Sequence, residues 1–205
     1  MRDEGPGSGR GLRVLLSEGA STSAREAITA LGLAGHHVEI CDPDPRCLGR
    51  FSRFVRRFHR CPGLGADPQG FLDFILDRLS SGEVDVLLPI HEQGYLFAKV
   101  RERLAPLVAV ALPTFESYRQ AHSKVGFGRL LSDLDIPQPE TRLVHDLRDL
   151  AALDHFPVVL KAPVGTASRA TWLISSPADL DAARREAEGS EEHFDEPYLL
   201  QEVVP

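Results

Sequence analysis

Apolar positions in the first half of the chain fall into short uninterrupted runs, separated by stretches with a helical repeat. Residues 12–16 hold Val14, Leu15 and Leu16 in one apolar run, the pattern of a strand buried on both faces. A loop of small residues follows, from Ser17 and Glu18 through Gly19 to Thr22. Ser23 and Glu26 have capping-box spacing and predict a helix start there. Ala27, Ile28, Leu31 and Ala34 give that helix its apolar face, and Gly35 its stop. Residues 38–41 predict a second strand, closed by Asp42 and Pro43. Asp67 and Pro68 then cap and open a helix through Phe71, Phe74, Ile75 and Leu79, ended by Ser81 and Gly82. A strand at 84–88, a helix at 93–104 and a strand at 107–112 continue the alternation. Repeated βα alternation predicts an open parallel sheet with helices on both faces. Ligands of such sheets gather at the carboxyl ends of the strands, which places the segments 18–23, 42–46 and 90–93 together.

The second half has another texture. Thr114 caps a short helix, and Ser123 starts a second one running to Leu134. The connector Asp135-Ile136-Pro137-Gln138-Pro139 cannot remain helical. Strand patterns at 141–144, 158–161, 171–174 and 198–204 follow, with a helix carrying Ala178, Leu180 and Ala183 between the last two. Strands this close in sequence predict an antiparallel or mixed sheet. The expected organisation is a disordered leader at 1–11, one domain at 12–113 and a second at 114–205.

Composition narrows the function classes. The 205 residues are 42% hydrophobic and 26% charged, with a formal net charge of -7. That acidic balance argues against a chain that coats nucleic acid or an anionic membrane. No apolar run approaches the roughly 18 residues of a membrane span. The leader lacks the apolar core of a secretion signal, so the expected compartment is the cytoplasm. Cys41, Cys47 and Cys61 are odd in number and contain no Cys-x-x-Cys pair, which predicts reduced thiols. A Cys/His metal site with His36, His37 or His59 is the weaker alternative.

Several residues are candidates for chemistry. Lys161 ends a strand that should be buried, and the loop after it is built from small residues, Gly165 to Ala170. A lysine beside such a loop can meet phosphate oxygens while backbone N–H groups cover them. Lys124 stands at a helix start, where only a nearby anion gives its charge a role. The terminal run from Tyr198 to Val204 is apolar, then polar at Gln201 and Glu202, then apolar again, which suits the edge of a flat heterocycle. A plain hairpin lysine and a plain strand end are the bland readings of the same residues. Arg46, Arg50, Arg53, Arg57 and Arg60 recur at three- and four-residue intervals beside Phe51, Phe54 and Phe58. If helical, they form a basic stripe: a solvated face, or an anion site for a carboxylate substrate through Arg53. Glu18, Glu92 and Gln93 are candidate substrate contacts from their strand-end positions. His91 and Glu92 do not make a metalloprotease motif, because Tyr95 occupies the place of the second histidine. Gly19 has no glycine partners nearby, so the dinucleotide fingerprint is absent.

Taken in order, these segments resemble one family. Lys124 with Phe127, Leu130 and Leu131, the connector to Thr141, the strand 156–163 with its loop, and the run Leu200-Gln201-Glu202-Val203-Val204-Pro205 resemble ATP-grasp enzymes of the carbamoyl-phosphate-synthase and biotin-carboxylase type. The resemblance covers the chain after Arg10 and implies an α/β fold. A Rossmann-like parallel-sheet domain would precede a partial α+β ATP-grasp domain. It implies that Lys124 and Lys161 contact ATP phosphates, and that Gly165, Thr166, Ala167 and Ser168 belong to the loop closing over them. It further implies that Gln201 reads the adenine amino group and that Glu202, Val203 and Val204 meet the ring edge through their backbone. The implied chemistry is activation of a carboxylate as an acyl phosphate, attacked by an amine or other nucleophile. Mg2+ is the implied metal, with its ligands expected beyond Pro205, so the fragment alone should be incomplete as a catalyst. The expected partners are ATP and a small carboxylate, with a homodimer allowed, and neither nucleic acid nor membrane. Ala167 and Ala170 stand at positions where the family uses glycine, which should restrict positive φ angles in the loop. A non-catalytic nucleotide- or metabolite-binding module, or an NAD(P)-dependent oxidoreductase, are the alternatives.

Overall fold

The computed structural model describes residues 11–165, 170–189 and 195–204. The chain divides into two compact units, Met1–Phe115 and Glu116–Pro205. Among the described residues no helix is long and apolar enough to cross a membrane.

The first unit is a four-stranded parallel sheet. Its strands are β1 (Arg13–Leu16), β2 (His37–Asp42), β3 (Val55–Arg60) and β4 (Val86–Leu88), in the order β3-β2-β1-β4. The helices are α1 (Thr22–Leu33), α2 (Pro68–Ser80), α3 (Gln93–Lys99) and α4 (Arg101–Leu104). Side-chain alternation along β1 explains the layering. Leu15 joins Ile75, Leu79 and Phe97 in one core, while Val14 and Leu16 join Ile28, Val38 and Ile40 in another. Both faces of the sheet are therefore covered, as an uninterrupted apolar strand requires.

Four local expectations are corrected. The cap of α1 is Ser21 rather than Ser23: its backbone is extended, and its hydroxyl accepts from the Ala24 N–H at 3.0 Å. The helix expected over 93–104 is interrupted at Val100, whose N–H turns back to the Phe97 carbonyl. Residues 107–112 form no strand, only a bridge from Ala109 to Val86. The N–H groups of Leu107 and Val108 are spent on the Leu104 carbonyl, so sheet pairing cannot begin before Ala109. The arginine-rich segment is not a helical stripe. It makes one 3₁₀ turn (Leu48–Phe51) and then β3, an edge strand studded with arginine. Phe54 leaves the supposed aromatic row and packs over Gly32 of α1, where a Cβ would lie 2.2 Å from its ring. Phe51 remains 74% exposed.

The edge strand is tied down by charge. Glu39 on β2 accepts from His59 on β3 at 2.7 Å and from Arg78 on α2 at 2.8 Å, all three side chains being mostly buried. Burial pushes the Glu39 carboxyl up, but the hydrogen bonds from Arg78 and His59 outweigh it and hold the group below its ordinary value.

The second unit carries α5 (Phe115–His122), α6 (Lys124–Asp133), β5 (Thr141–Val144), a 3₁₀ turn (Leu147–Ala152), β6 (Val158–Lys161), β7 (Thr171–Ile174), α7 (Pro177–Glu188) and β8 (Tyr198–Glu202). Its four strands are antiparallel in the order β5-β8-β6-β7. Here the register separates two unlike faces. Val144, Val158, Leu160, Ile174 and Leu200 point one way and meet Leu150, Leu180 and Ala183 in a single core. Thr141, Leu143, Val159, Lys161, Leu173, Leu199 and Gln201 point the other way. On that second face Leu173 is 62% and Leu143 37% exposed.

Candidate functional site

Helix α6 lies along the open face of the second sheet, and its start is fixed by three bonds. The Ser123 hydroxyl accepts from the Gly126 N–H at 3.0 Å and donates to Glu196 at 2.6 Å. The Lys124 N–H donates to the Pro163 carbonyl, 2.8 Å away, just beyond β6. These contacts bring the first turn of α6 beside the end of β6, which is how two lysines far apart in sequence come to share a cleft.

That cleft has a volume of about 260 Å³. Lys124, Lys161, Gln138 and Gln201 supply its polar lining, and Phe127, Leu131, Pro139 and Leu199 its apolar walls. Lys124 reaches the neck of the β6–β7 loop, donating from Nζ to the Gly165 carbonyl at 3.2 Å. Lys161 donates from Nζ to Gln201 Oε1 at 2.6 Å. Gln201 in turn donates from Nε2 to Thr141 Oγ1 at 2.8 Å. Among the described residues, neither ammonium group meets a carboxylate. Burial, and after it the charge of Lys161, push the Lys124 ammonium below its ordinary pKa. Two partly desolvated cations without a counter-charge make a site where an anion would be stabilised on arrival.

The surrounding candidates sort by position. Gly165 has φ 139°, a backbone state that suits glycine alone. Thr166, Ala167 and Ser168 lie outside the described residues. Ala170 closes the loop neck by accepting from the Ala162 N–H at 2.9 Å, and it does so at φ 51°. Alanine therefore does not prevent a positive φ there, at a cost of about 1 kcal/mol. Glu202 falls on the opposite face from Gln201, and its carboxylate accepts from the Glu140 N–H at 2.9 Å. Val203 and Val204 follow β8 and are 38% and 62% exposed.

The four residues proposed for a substrate lie in the first unit, and the sheet parts them. Glu18 follows β1, and Glu92 and Gln93 follow β4, at the carboxyl edge. Arg53 precedes β3 and so stands at the amino edge, its guanidinium lying over its neighbour Phe54. Glu18 closes its own loop by accepting from the Ser21 N–H. Gln93 Oε1 is buried and makes no hydrogen bond among the described residues. His91 between them has φ 52°, a strained state of the kind found in binding loops.

The same edge speaks against a dinucleotide site. Asp42, where such folds bind a ribose, is 3% exposed and accepts from the N–H groups of Gly19 and Asp44. The Gly19 carbonyl is taken by the Gly49 N–H at 2.8 Å, which fills the space before α1. Among the described residues no group of His, Cys, Asp and Glu could hold a metal ion.

Sequence reasoning missed Thr141 and Ser17. Thr141 was only a strand residue until the register set it opposite Gln201. Ser17 is buried and bridges the ends of β1 and β4, its hydroxyl accepting from the Ile90 N–H and its N–H donating to the Leu88 carbonyl.

Solved structures share the fold of this chain. The fold, a parallel-sheet unit followed by an antiparallel one, is shared with part of solved ATP-grasp enzymes. An L-amino acid ligase from Bacillus licheniformis matches with a TM-score of 0.75 at 16% identity, over 96% of this chain and 47% of its own. The biotin carboxylase domain of 2-oxoglutarate carboxylase from Hydrogenobacter thermophilus, solved as a dimer with MgADP, ADP and bicarbonate, gives 0.68 at 16%, over 94% and 44%. N5-carboxyaminoimidazole synthetase from Staphylococcus aureus, complexed with ADP, gives 0.66 at 13%, over 95% and 48%. The chain thus spans slightly less than half of each. No protein-family model and no curated protein matches the sequence.

Proposed function

We propose that the second unit binds the triphosphate and base of ATP, within a protein that activates a carboxylate as an acyl phosphate. The observation that carries the reading is the shared cleft: Lys124 and Lys161 converge there, meeting no carboxylate among the described residues, and Gln201 stands beside them at the end of an apolar wall. The lysines hold phosphate oxygens and neutralise charge as the terminal phosphoryl group is transferred. Phe127, Leu131 and Leu199 cover the base, and Gln201 meets its edge. A magnesium ion bound with the nucleotide would draw charge from the phosphates; among the described residues no group of three or more His, Cys, Asp or Glu could hold it. The first unit positions the carboxylate at its carboxyl edge, near Glu18, Glu92 and Gln93.

Support comes from the ligands of the structural neighbours, two of which hold ADP and one bicarbonate as well. A thermal-shift series with ATP, ADP and NAD tests the reading on the 205-residue chain. Stabilisation by ATP and ADP, lost in Lys161→Ala, is the expected result. Stabilisation by NAD alone would replace this reading with the oxidoreductase one.

A further inference from the structure

We infer that Thr141 is a positioning residue that sets base selectivity, by holding the nitrogen end of Gln201 away from the cleft so that the oxygen end beside Lys161 is the one turned to the base. The inference rests on the nucleotide reading of the cleft and goes one step further, to a residue outside its lining.

The geometry leaves the carboxamide one orientation. Thr141 sits directly across the β5–β8 pair from Gln201. Its hydroxyl donates to the Pro139 carbonyl at 2.8 Å, so its single proton is committed and toward Gln201 it can only accept. The Gln201 nitrogen fills that place at 2.8 Å. At the other end stands Lys161, which has donors and no acceptor, 2.6 Å from Oε1. Rotating the carboxamide by half a turn would set NH2 against an ammonium group and oxygen against an oxygen. Both bonds would be lost, and both replacements would repel. Glutamine is ordinarily ambivalent, because a free side chain can turn either its oxygen or its nitrogen to a ligand.

The Nε2 end thus lies toward Thr141, outside the lining, and the end beside Lys161, with the second lone pair of Oε1, is the one nearer the cleft. A base carrying an exocyclic amino group at the matching edge, as adenine does, completes that pair. Guanine and hypoxanthine carry a carbonyl oxygen there and would meet acceptor with acceptor. A buried acceptor left without its donor discriminates more strongly than any loss of apolar contact. Remove the Thr141 hydroxyl and one of the two constraints goes. The carboxamide can then turn, at the expense of the Lys161 bond, and accept a base of the other kind.

The test is calorimetric titration of the chain and of Thr141→Val and Thr141→Ser with ATP, GTP and inosine triphosphate. Valine keeps the branched shape that suits a strand, and thermal melting checks that each variant is folded. The wild type should prefer ATP over both other nucleotides. Thr141→Val should narrow the ratio of dissociation constants by about tenfold, the weight of one part-buried hydrogen bond. Thr141→Ser should restore it. If valine does not fold, Thr141→Ala replaces it with the same expectation. An ATP-selective wild type whose ratio is unchanged in the valine and alanine variants overturns the role of Thr141 and leaves the cleft assignment standing. A wild type that binds none of the three, or binds them regardless of Lys161→Ala, overturns the cleft assignment and Thr141 with it.

Discussion

Each unit is built on a four-stranded sheet, yet the first sheet is covered on both faces and the second is covered on one and only in part on the other. In β1 the residues Val14, Leu15 and Leu16 are all within 3% of complete burial. In the second sheet Leu200 and Leu160 are buried on one side, while on the other Leu199 is buried but Leu173 and Leu143 stand open. The closed sheet offers ligands only its strand ends. The second sheet leaves part of a face open beside α6, and the cleft between them is where Lys124, Lys161 and Gln201 are found. It is on this face, with its apolar walls and with lysines that meet no carboxylate among the described residues, that the proposed nucleotide would lie.

The contrast can be broken first at its strongest point. Leu15→Ala, which cuts into the closed sheet from its centre, should cost about 3–5 kcal/mol in urea unfolding. Next comes ligand binding on the open face. Lys161→Ala should weaken ATP binding by about 10- to 100-fold, the weight of a charge-assisted hydrogen bond, with little change in melting temperature.

Smaller effects sharpen the comparison. Glu39→Gln should cost about 1–3 kcal/mol at neutral pH, since His59 and Arg78 lose their shared acceptor. The sign with pH follows from a carboxyl held below its ordinary value of 4.5. Its contribution is fully present above that value and is lost as the pH falls through the lowered one. The wild type should therefore lose stability on acidification more steeply than the variant. Leu173→Ser, on the open face, should change stability by no more than about 0.5 kcal/mol. Ala170→Gly should do as little, because relief of the left-handed backbone is offset by the entropy that glycine adds to the unfolded chain, each worth about 1 kcal/mol.

Much of this was legible in the residues themselves. The run at Val14 to Leu16 announced a strand covered on both sides, and Asp67 with Pro68 announced α2 at its observed start. The order of Lys124, Lys161 and Gln201 along the chain pointed to the cleft before any geometry. The failures share a physical origin. Arginines at helical intervals looked helical because spacing alone cannot see the pairing of β3 with β2 or the pull of Glu39 on His59. The run at 107–112 looked like a strand because a pattern of side chains says nothing of N–H groups already spent on Leu104. Thr141 was invisible as a functional residue, since its role depends on register across two strands sixty positions apart.

The most direct test of the account is an amide chemical-shift titration of the labelled chain with ATP. The account predicts shifts that centre on Lys124, Lys161, Leu199 and Gln201, saturating together with one dissociation constant. Shifts centred on Gly19 and Asp42 in the parallel sheet, with the lysine cleft unmoved, would contradict it.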